Sequence, residues 1–441
     1  MPKSVKIRKA EKPLAGTFAF PGDKSLSHRA IMFGSLAEGT SEFSNVLEGE
    51  DCVCTREAFE EMGVRIERLG PGRLLVHGAG LRGLKAPKKE LWLGNSGTSM
   101  RILMGILAGQ PFESVLTGDP SLCSRPMKRV TTYLRQMGAD IRGRDDANFA
   151  PLTVKGGRLK GIDASLAVSS AQVKSAILMA GLYADGRTSV SEPEKSRDHT
   201  ERFLKHFGAK IGIRGNTVMV EGGQRLSARR FEIAGDISSA AFFMAAAVLV
   251  PGSGLSFRSV LNNPTRTGIF DVLKRMGVDF SKSGEPAGDT GPEPVIDFSL
   301  KPYPFKAFDI AHAELPALID EVPILCVLAT QADGTSVVRD ADELRVKESD
   351  RIEAIIRALS PMGAKISAEG NTLRIQGPSK LRGARVDSRK DHRIAMSAII
   401  AGLIAEGETV VDDVECINTS FPDFFELLQR AGAKYELIDT P

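Results

Sequence analysis

The sequence predicts an α/β protein of two domains, each assembled from three copies of a β-α-β-α-β-β unit of about 70 residues. Three observations carry this: a glycine signal that recurs six times, alternating helical and strand patterns around each glycine, and a last copy too short to be complete.

The signal is a long apolar residue, glycine, a small residue, a charged residue and an Ile-like residue. It appears at Met62-Gly63, Met137-Gly138, Phe207-Gly208, Met276-Gly277, Met362-Gly363 and Ala431-Gly432, with the glycines spaced by 75, 70, 69, 86 and 69 residues. Each glycine follows an amphipathic run such as Ala58-Phe59-Glu60-Glu61-Met62, as a helix C-terminus requires. A short β-rich stretch follows, as in Val64-Arg65-Ile66, and then a second strand beyond a polar turn: Leu74 to His77, Leu152 to Lys155, Val218 to Glu221, Leu373 to Gln376. Upstream of each amphipathic helix lies another strand and another helix. That helix is alanine-rich at Ala240 to Val248 and Ala395 to Ala405, which predicts burial on all sides.

A sixth copy opening near Ser388 has only 54 residues left, so the strand-like Val5 to Arg8 and Gly16 to Phe20 are expected to complete it. One domain then comprises residues 1–21 with 236–441, the other 22–235, and the chain crosses near Pro21-Gly22 and Gly235-Asp236. The widest spacing contains Gly284-Glu285-Pro286-Ala287-Gly288-Asp289-Thr290-Gly291-Pro292, a loop insertion.

Composition limits the function. The chain of 441 residues is 42% hydrophobic and carries 58 basic against 55 acidic side chains, so bulk binding of nucleic acid or an anionic membrane is not expected. The opening Met1-Pro2-Lys3-Ser4-Val5-Lys6 lacks a signal-peptide core and no 18-residue apolar run occurs, which predicts a cytoplasmic protein. Cys52, Cys54, Cys123, Cys326 and Cys416 have no zinc spacing, and His28, His199 and His392 are scattered; free thiols and no metal are expected. Cys123, near Arg125, has no neighbouring histidine to activate it.

At Pro21-Gly22-Asp23-Lys24-Ser25-Leu26-Ser27-His28-Arg29 a strand stops and a helix begins, with Asp23 or Ser25 as cap. The stretch is no Walker loop, so ATP binding does not follow. Equivalent first helices open at Asn95-Ser96-Gly97-Thr98, Ser169-Ser170-Ala171-Gln172, Asp236-Ile237-Ser238-Ser239, Ile319-Asp320-Glu321 and Asp391-His392-Arg393. The second helices open at Glu50-Asp51, Ser124-Arg125-Pro126, Ser196-Arg197-Asp198, Asn263-Pro264-Thr265, Lys347-Glu348-Ser349-Asp350-Arg351 and Thr419-Ser420-Phe421-Pro422. Caps explain most of these residues. They do not explain Lys24, Arg29, Arg125, Lys347, Arg351 and Arg393, because a helix start disfavours positive charge unless an anion is bound there. Helix ends converging on one cleft would make a cationic pocket for a phosphorylated or carboxylated small molecule. Asp320 and Glu348 stand at two of the same starts and are candidates for proton transfer, whereas Glu321 and Asp350 read as solvated charges.

The motifs PGDKSLSHR, GNSGTSMR, SRPM, SSAQVKSA, ELRVKESDR, DHRIAM and TSFPDFF, in this order along nearly the whole chain, resemble the EPSP synthase family of enolpyruvyl transferases. The resemblance implies a two-domain inverse α/β barrel of six units. It also implies cofactor-free transfer of the enolpyruvyl group of phosphoenolpyruvate to the 5-hydroxyl of shikimate 3-phosphate, and a monomer with these two small molecules as its partners. Lys24, Ser25 and Arg29 would hold shikimate 3-phosphate, with Lys24 also reaching phosphoenolpyruvate. Ser169, Ser170, Gln172 and Ser196 would contact the shikimate phosphate or ring, Gln172 lying between both ligands. Asn95, Gly97, Arg125, Arg351 and Arg393 would surround phosphoenolpyruvate. Asp320 would take the hydroxyl proton, Glu348 would protonate the enol carbon, and Lys347 would lie beside the shikimate hydroxyls.

Two positions depart from one branch of the family: Thr419 stands where that branch has a lysine, and Glu343 where it has an asparagine. Glyphosate-resistant members can carry alanine at the position of Gly97; the glycine here implies sensitivity. The alternative is the sister transferase acting on UDP-N-acetylglucosamine, whose cysteine lies farther before its arginine than Cys123 does.

Overall fold

The structure is a computed structural model that describes residues 3–278, 280–282 and 291–439. Of the expected insertion at 284–292, only Gly291 and Pro292 lie within the described residues. The described strands form six separate four-stranded sheets. Each sheet joins one parallel pair to an antiparallel pair; in the first, 230–232 runs parallel to 42–44, which pairs antiparallel with Arg73–Ala79, and that in turn with Arg65–Gly70. Ladders hold every sheet to four strands, so among the described residues no sheet closes into a barrel, and the fold is mixed α/β.

Two sheets recruit the chain's opening. Lys3–Arg8 lies between Glu408–Asp412 and Tyr435–Asp439, antiparallel to both, and Ala15–Ala19 runs parallel to Gly254–Leu261. The chain clusters into two compact units. Unit 1 is Met1–Pro21, Gly235–Gly288 and Pro294–Pro441; unit 2 is Gly22–Ala234 and Asp289–Glu293.

Each unit is built on buried helices. In unit 2 they are α1 (Lys24–Leu36), α2 (Gly97–Ala108) and α3 (Ala171–Gly181); in unit 1, α4 (Ile237–Leu249), α5 (Val322–Ala329) and α6 (His392–Gly402). α4 and α5 are buried along their whole length, as a helix apolar on every face must be. Aromatic clusters fill the cores: Phe33, Phe203, Phe207 and Phe231 in unit 2, and Phe20, Phe243, Phe257 and Phe421 in unit 1.

The six signal glycines share one backbone device. Gly63, Gly138, Gly208, Gly277, Gly363 and Gly432 all have φ between 87° and 109°, the left-handed region that glycine enters without steric cost. Behind each, the next residue's N–H returns five residues to a carbonyl: Val64 to Phe59, Ala139 to Leu134, Ala209 to Leu204, Val278 to Leu273, Ala364 to Leu359 and Ala433 to Leu428. Those 6→1 bonds end the helices and turn the chain into the next strand.

Helix starts divide into two kinds. Five of the six first helices carry side-chain caps, Asp23 accepting from Leu26 N–H, Ser96 from Ser99, Ser170 from Val173, Asp236 from Ser238 and Asp391 from Arg393, while α5 follows the 3-10 turn Ile319–Glu321 without one. Several second helices begin later than their cap-type residues suggest, at Met127 and Thr267 instead of Ser124 and Asn263, without a side-chain cap bond. Those cap-type residues serve the loop before the helix: Asn263 accepts from the Thr265 hydroxyl and N–H. Among the described residues no helix is long and apolar enough to cross a membrane.

Candidate active site

In unit 2 the expected residues gather around the starts of α1, α2 and α3. Lys24 reaches Asp51 on the following helix, Nζ to Oδ2 at 3.0 Å, and both side chains are largely buried. Asp51 is thus an anion already beside the first cation, and it offsets the helix-start penalty that the sequence assigned wholly to a ligand. Arg29 is 3% exposed; its guanidinium donates to Thr200 Oγ1 at 2.8 Å, Ser175 Oγ at 3.0 Å and the Ser25 carbonyl at 3.0 Å. Burial pushes Arg29 down to about 10, with Glu201 and Asp23 acting in the opposite sense.

Beneath Lys24 lies a network of neutral polar groups. His28 Nδ1 meets Thr55 Oγ1 at 2.7 Å, Thr55 meets Ser99 Oγ at 2.5 Å, and Ser99 meets Ser96 Oγ at 2.7 Å. Burial, reinforced by Lys24 and Arg29, pushes the imidazole down to about 3, so His28 is neutral near pH 7 and joins the starts of α1 and α2.

Around α2 the groups are cationic. Arg125 donates to Asn95 Oδ1, while Asn95 Nδ2 donates to Asp119 Oδ2 at 2.6 Å. A Cβ on Gly97 would lie 2.7 Å from Arg101 Nη1 and 3.4 Å from Arg125 Nη1, so a side chain there would displace one guanidinium. Arg101 also donates to Gln172 Oε1 at 2.6 Å, and Gln172 to Thr98 Oγ1 at 3.0 Å. Sequence reasoning passed over Arg101, although its place one turn beyond Gly97 in GNSGTSMR puts it on the same helix face. Cys123 donates to the Gly118 carbonyl at 3.3 Å and is half-buried.

The serines form a separate group. Ser169 Oγ donates to the Glu194 carbonyl at 2.5 Å, and Ser170 and Ser196 both converge on the buried carboxylate of Glu192. Glu192 is paired in turn with Lys174, at 2.7 Å. Neither residue was singled out from the sequence, although Lys174 lies one turn beyond Ser170 in SSAQVKSA.

In unit 1 the remaining residues meet at the 1% exposed side chain of Arg351. Its guanidinium contacts Glu348 Oε2 at 2.6 Å, Asp391 Oδ2 at 2.9 Å and Asp320 Oδ1 at 3.2 Å. Burial alone would lower the Arg351 guanidinium, but Asp391, Glu348 and Asp320 hold it above its ordinary value. For Asp391 burial acts upward and Arg351 overrides it, leaving that carboxyl below the usual range. Asp320 also faces Lys347 Nζ at 3.7 Å and Arg393 Nη2 at 3.9 Å, and its carbonyl accepts from Arg393 Nη1 at 3.1 Å. Asp391, missed as a site residue, caps α6 and accepts from Ser349 Oγ at 2.9 Å, so a cap-type residue here also fixes a buried cation.

Glu321 is not the solvated charge expected. It is 1% exposed and accepts from the Ser238 hydroxyl, to which Arg266 also donates at 3.0 Å. The short 3-10 turn Ile319–Glu321 explains this, since it points Asp320 and Glu321 in different directions. Asp350 is about one-third exposed, caps Arg351–Leu359 and pairs with Arg345 at 2.7 Å. Thr419, in place of a lysine, donates to the Cys416 carbonyl at 2.7 Å and lies 3.4 Å from His392 Nδ1. Among the described residues no group of three His, Cys, Asp or Glu side chains is arranged to hold a metal ion.

Comparison with known proteins places these residues in context. The family profile described as EPSP synthase (3-phosphoshikimate 1-carboxyvinyltransferase) matches residues 8–428. A 3-phosphoshikimate 1-carboxyvinyltransferase of Shouchella clausii (strain KSM-K16) is 49% identical over 430 residues, 97% of this chain and 99% of its own. One of Bacillus anthracis (strain A0248) is 48% identical over 428 residues, 97% of this chain and 99% of its own. Among solved structures, an EPSP synthase from Acinetobacter baumannii superposes with a TM-score of 0.89 at 44% identity, covering 99% of this chain and 100% of that one.

Proposed function

The chain belongs to the EPSP synthase family, and from that premise we propose how its residues carry out the reaction. The enzyme transfers the enolpyruvyl group of phosphoenolpyruvate to the 5-hydroxyl of shikimate 3-phosphate, a step of the shikimate pathway of aromatic amino acid biosynthesis. The hydroxyl oxygen adds to the substituted enol carbon while a proton adds to its methylene carbon. The tetrahedral intermediate then loses that proton and phosphate, which restores the enol ether.

The observation that carries the assignment of roles is one guanidinium, Arg351, held by both Asp320 and Glu348 at 3.2 and 2.6 Å. It spaces two carboxylates at a fixed separation, one for each proton that moves. Asp320, balanced by Arg351, Lys347 and Arg393, takes the hydroxyl proton; Glu348, more exposed and held by Arg351, gives a proton to the methylene carbon. In unit 2, Lys24 acts on both substrates, releasing Asp51 for substrate oxygens. Ser25, Arg29, Ser169, Ser170 and Ser196 receive shikimate 3-phosphate with Lys347 and Asp320. Asn95, Gly97 and Arg125, with Arg351 and Arg393, receive phosphoenolpyruvate, and Gln172 lies between the two. The six sheets are read as six β-α-β-α-β-β repeats, three per domain of an inverse α/β barrel. The enzyme works as a cytoplasmic monomer without nucleic-acid or membrane partners.

The test is phosphate release from phosphoenolpyruvate with shikimate 3-phosphate as acceptor, against UDP-N-acetylglucosamine as control. Release is expected with the first only. In single turnovers, Asp320→Asn and Glu348→Gln should each slow the chemical step by about 100-fold or more. An unchanged rate in either variant removes that residue's role.

A further inference from the structure

Buried behind the serines is an ion cluster that the reaction does not itself require. Lys174, 1% exposed, lies 2.7 Å from Glu192 Oε2 and 2.8 Å from Glu201 Oε1, and both carboxylates are equally enclosed. Burial alone would lower the Lys174 ammonium, but Glu201 and Glu192 hold it above its ordinary value, so Lys174 stays charged near pH 7. The other edge of Glu192 faces the serines. It accepts from Ser170 N–H at 3.0 Å, from Ser196 N–H at 3.3 Å, and from Ser196 Oγ, whose distances to the two carboxylate oxygens are 2.6 and 2.9 Å.

We propose that Glu192 is a positioning residue for the phosphate group of shikimate 3-phosphate, acting through Ser170 and Ser196. The proposal rests on the assignment of those serines to that phosphate. Its physical content is a donor exchange. A phosphate dianion has oxygens that only accept, so a serine hydroxyl that binds it must point its proton at the phosphate. The Ser196 proton points at Glu192, and one rotation about the Cβ–Oγ bond redirects it. The carboxylate tolerates that loss because Lys174 and the two main-chain N–H groups still satisfy it. Two backbone N–H bonds meanwhile hold the Ser170 and Ser196 segments at one spacing. A neutral amide cannot do this, since its NH2 group would face one of the donors now pointing at an oxygen.

The experiment compares wild type, Ser196→Ala and Glu192→Gln by kcat, by KM for each substrate, and by direct calorimetric binding of shikimate 3-phosphate. Glu192→Gln is expected to weaken shikimate 3-phosphate by about tenfold or more in both KM and calorimetry, while KM for phosphoenolpyruvate stays within about twofold. Where the single variant does not fold, Lys174→Met and Glu201→Gln combined with Glu192→Gln remove the three buried charges together and are read against the same criterion. Lower thermal stability with both KM values unchanged would reduce Glu192 to a structural role and overturn the proposal. So would an equal rise in both KM values, or failure of both variants to fold. Should Ser196→Ala bind shikimate 3-phosphate like wild type, the assignment of the phosphate to these serines fails, whatever Glu192 does.

Discussion

His28 shows how a residue that touches no expected ligand still shapes the site. Its ring is enclosed, bonded to Thr55, and pushed down to about 3 by burial and by Lys24 and Arg29, with Asp23 opposing. The unfolded chain takes up a proton near the ordinary value of 6.5 while the folded chain does not, so stability falls with pH between 6.5 and about 3 and is fully present above that window. Between about pH 6 and pH 5 this single group is expected to remove roughly 1 kcal/mol. Urea midpoints across that range should show a shallower slope for His28→Asn; an identical slope would mean that another group titrates. The sequence displayed His28 inside PGDKSLSHR, but nothing in one dimension says that Thr55, Ser96 and Ser99 surround it. The same is true of Glu321, which reads as a surface charge until its burial against Ser238 is seen.

At the scale of the element, the six glycine turns were the most legible feature, because a left-handed C-terminus leaves a local mark in the sequence. Gly277 has φ 87°, and among the described residues no atom lies within 4 Å of where a Cβ would stand, so the cost of a side chain there is read as backbone strain. Gly277→Ala is expected to cost about 1 kcal/mol and Gly277→Asn less, measured by urea denaturation. A loss for alanine no larger than for asparagine would sink the strain argument. Starts of the second helices were less legible. Ser124 and Asn263 have the chemistry of caps, yet the helices begin at Lys128 and Gly268, because such residues serve loops as readily as helix ends.

At the scale of the molecule, Lys3–Arg8 is an inner strand between two partners at the far end of the sequence, so its removal leaves two ladders open at once. A chain lacking residues 1–12 is expected to be cut by a protease within 388–439 first, while 22–234 persists as a resistant band. Equal resistance of both stretches would show that the strand is dispensable. The sequence by itself determined what is local and periodic: the glycine turns, the buried alanine-rich helices, the caps of five of the six first helices, and motifs long enough to mark the family. Only the tertiary structure decided which charges face each other. It paired Lys24 with Asp51, closed Arg351 inside Asp320, Glu348 and Asp391, and set Glu192 behind the serines. The physical reason is that a helix end or a turn is specified by a few adjacent residues, whereas the energy of a buried charge depends on groups brought to it from distant segments.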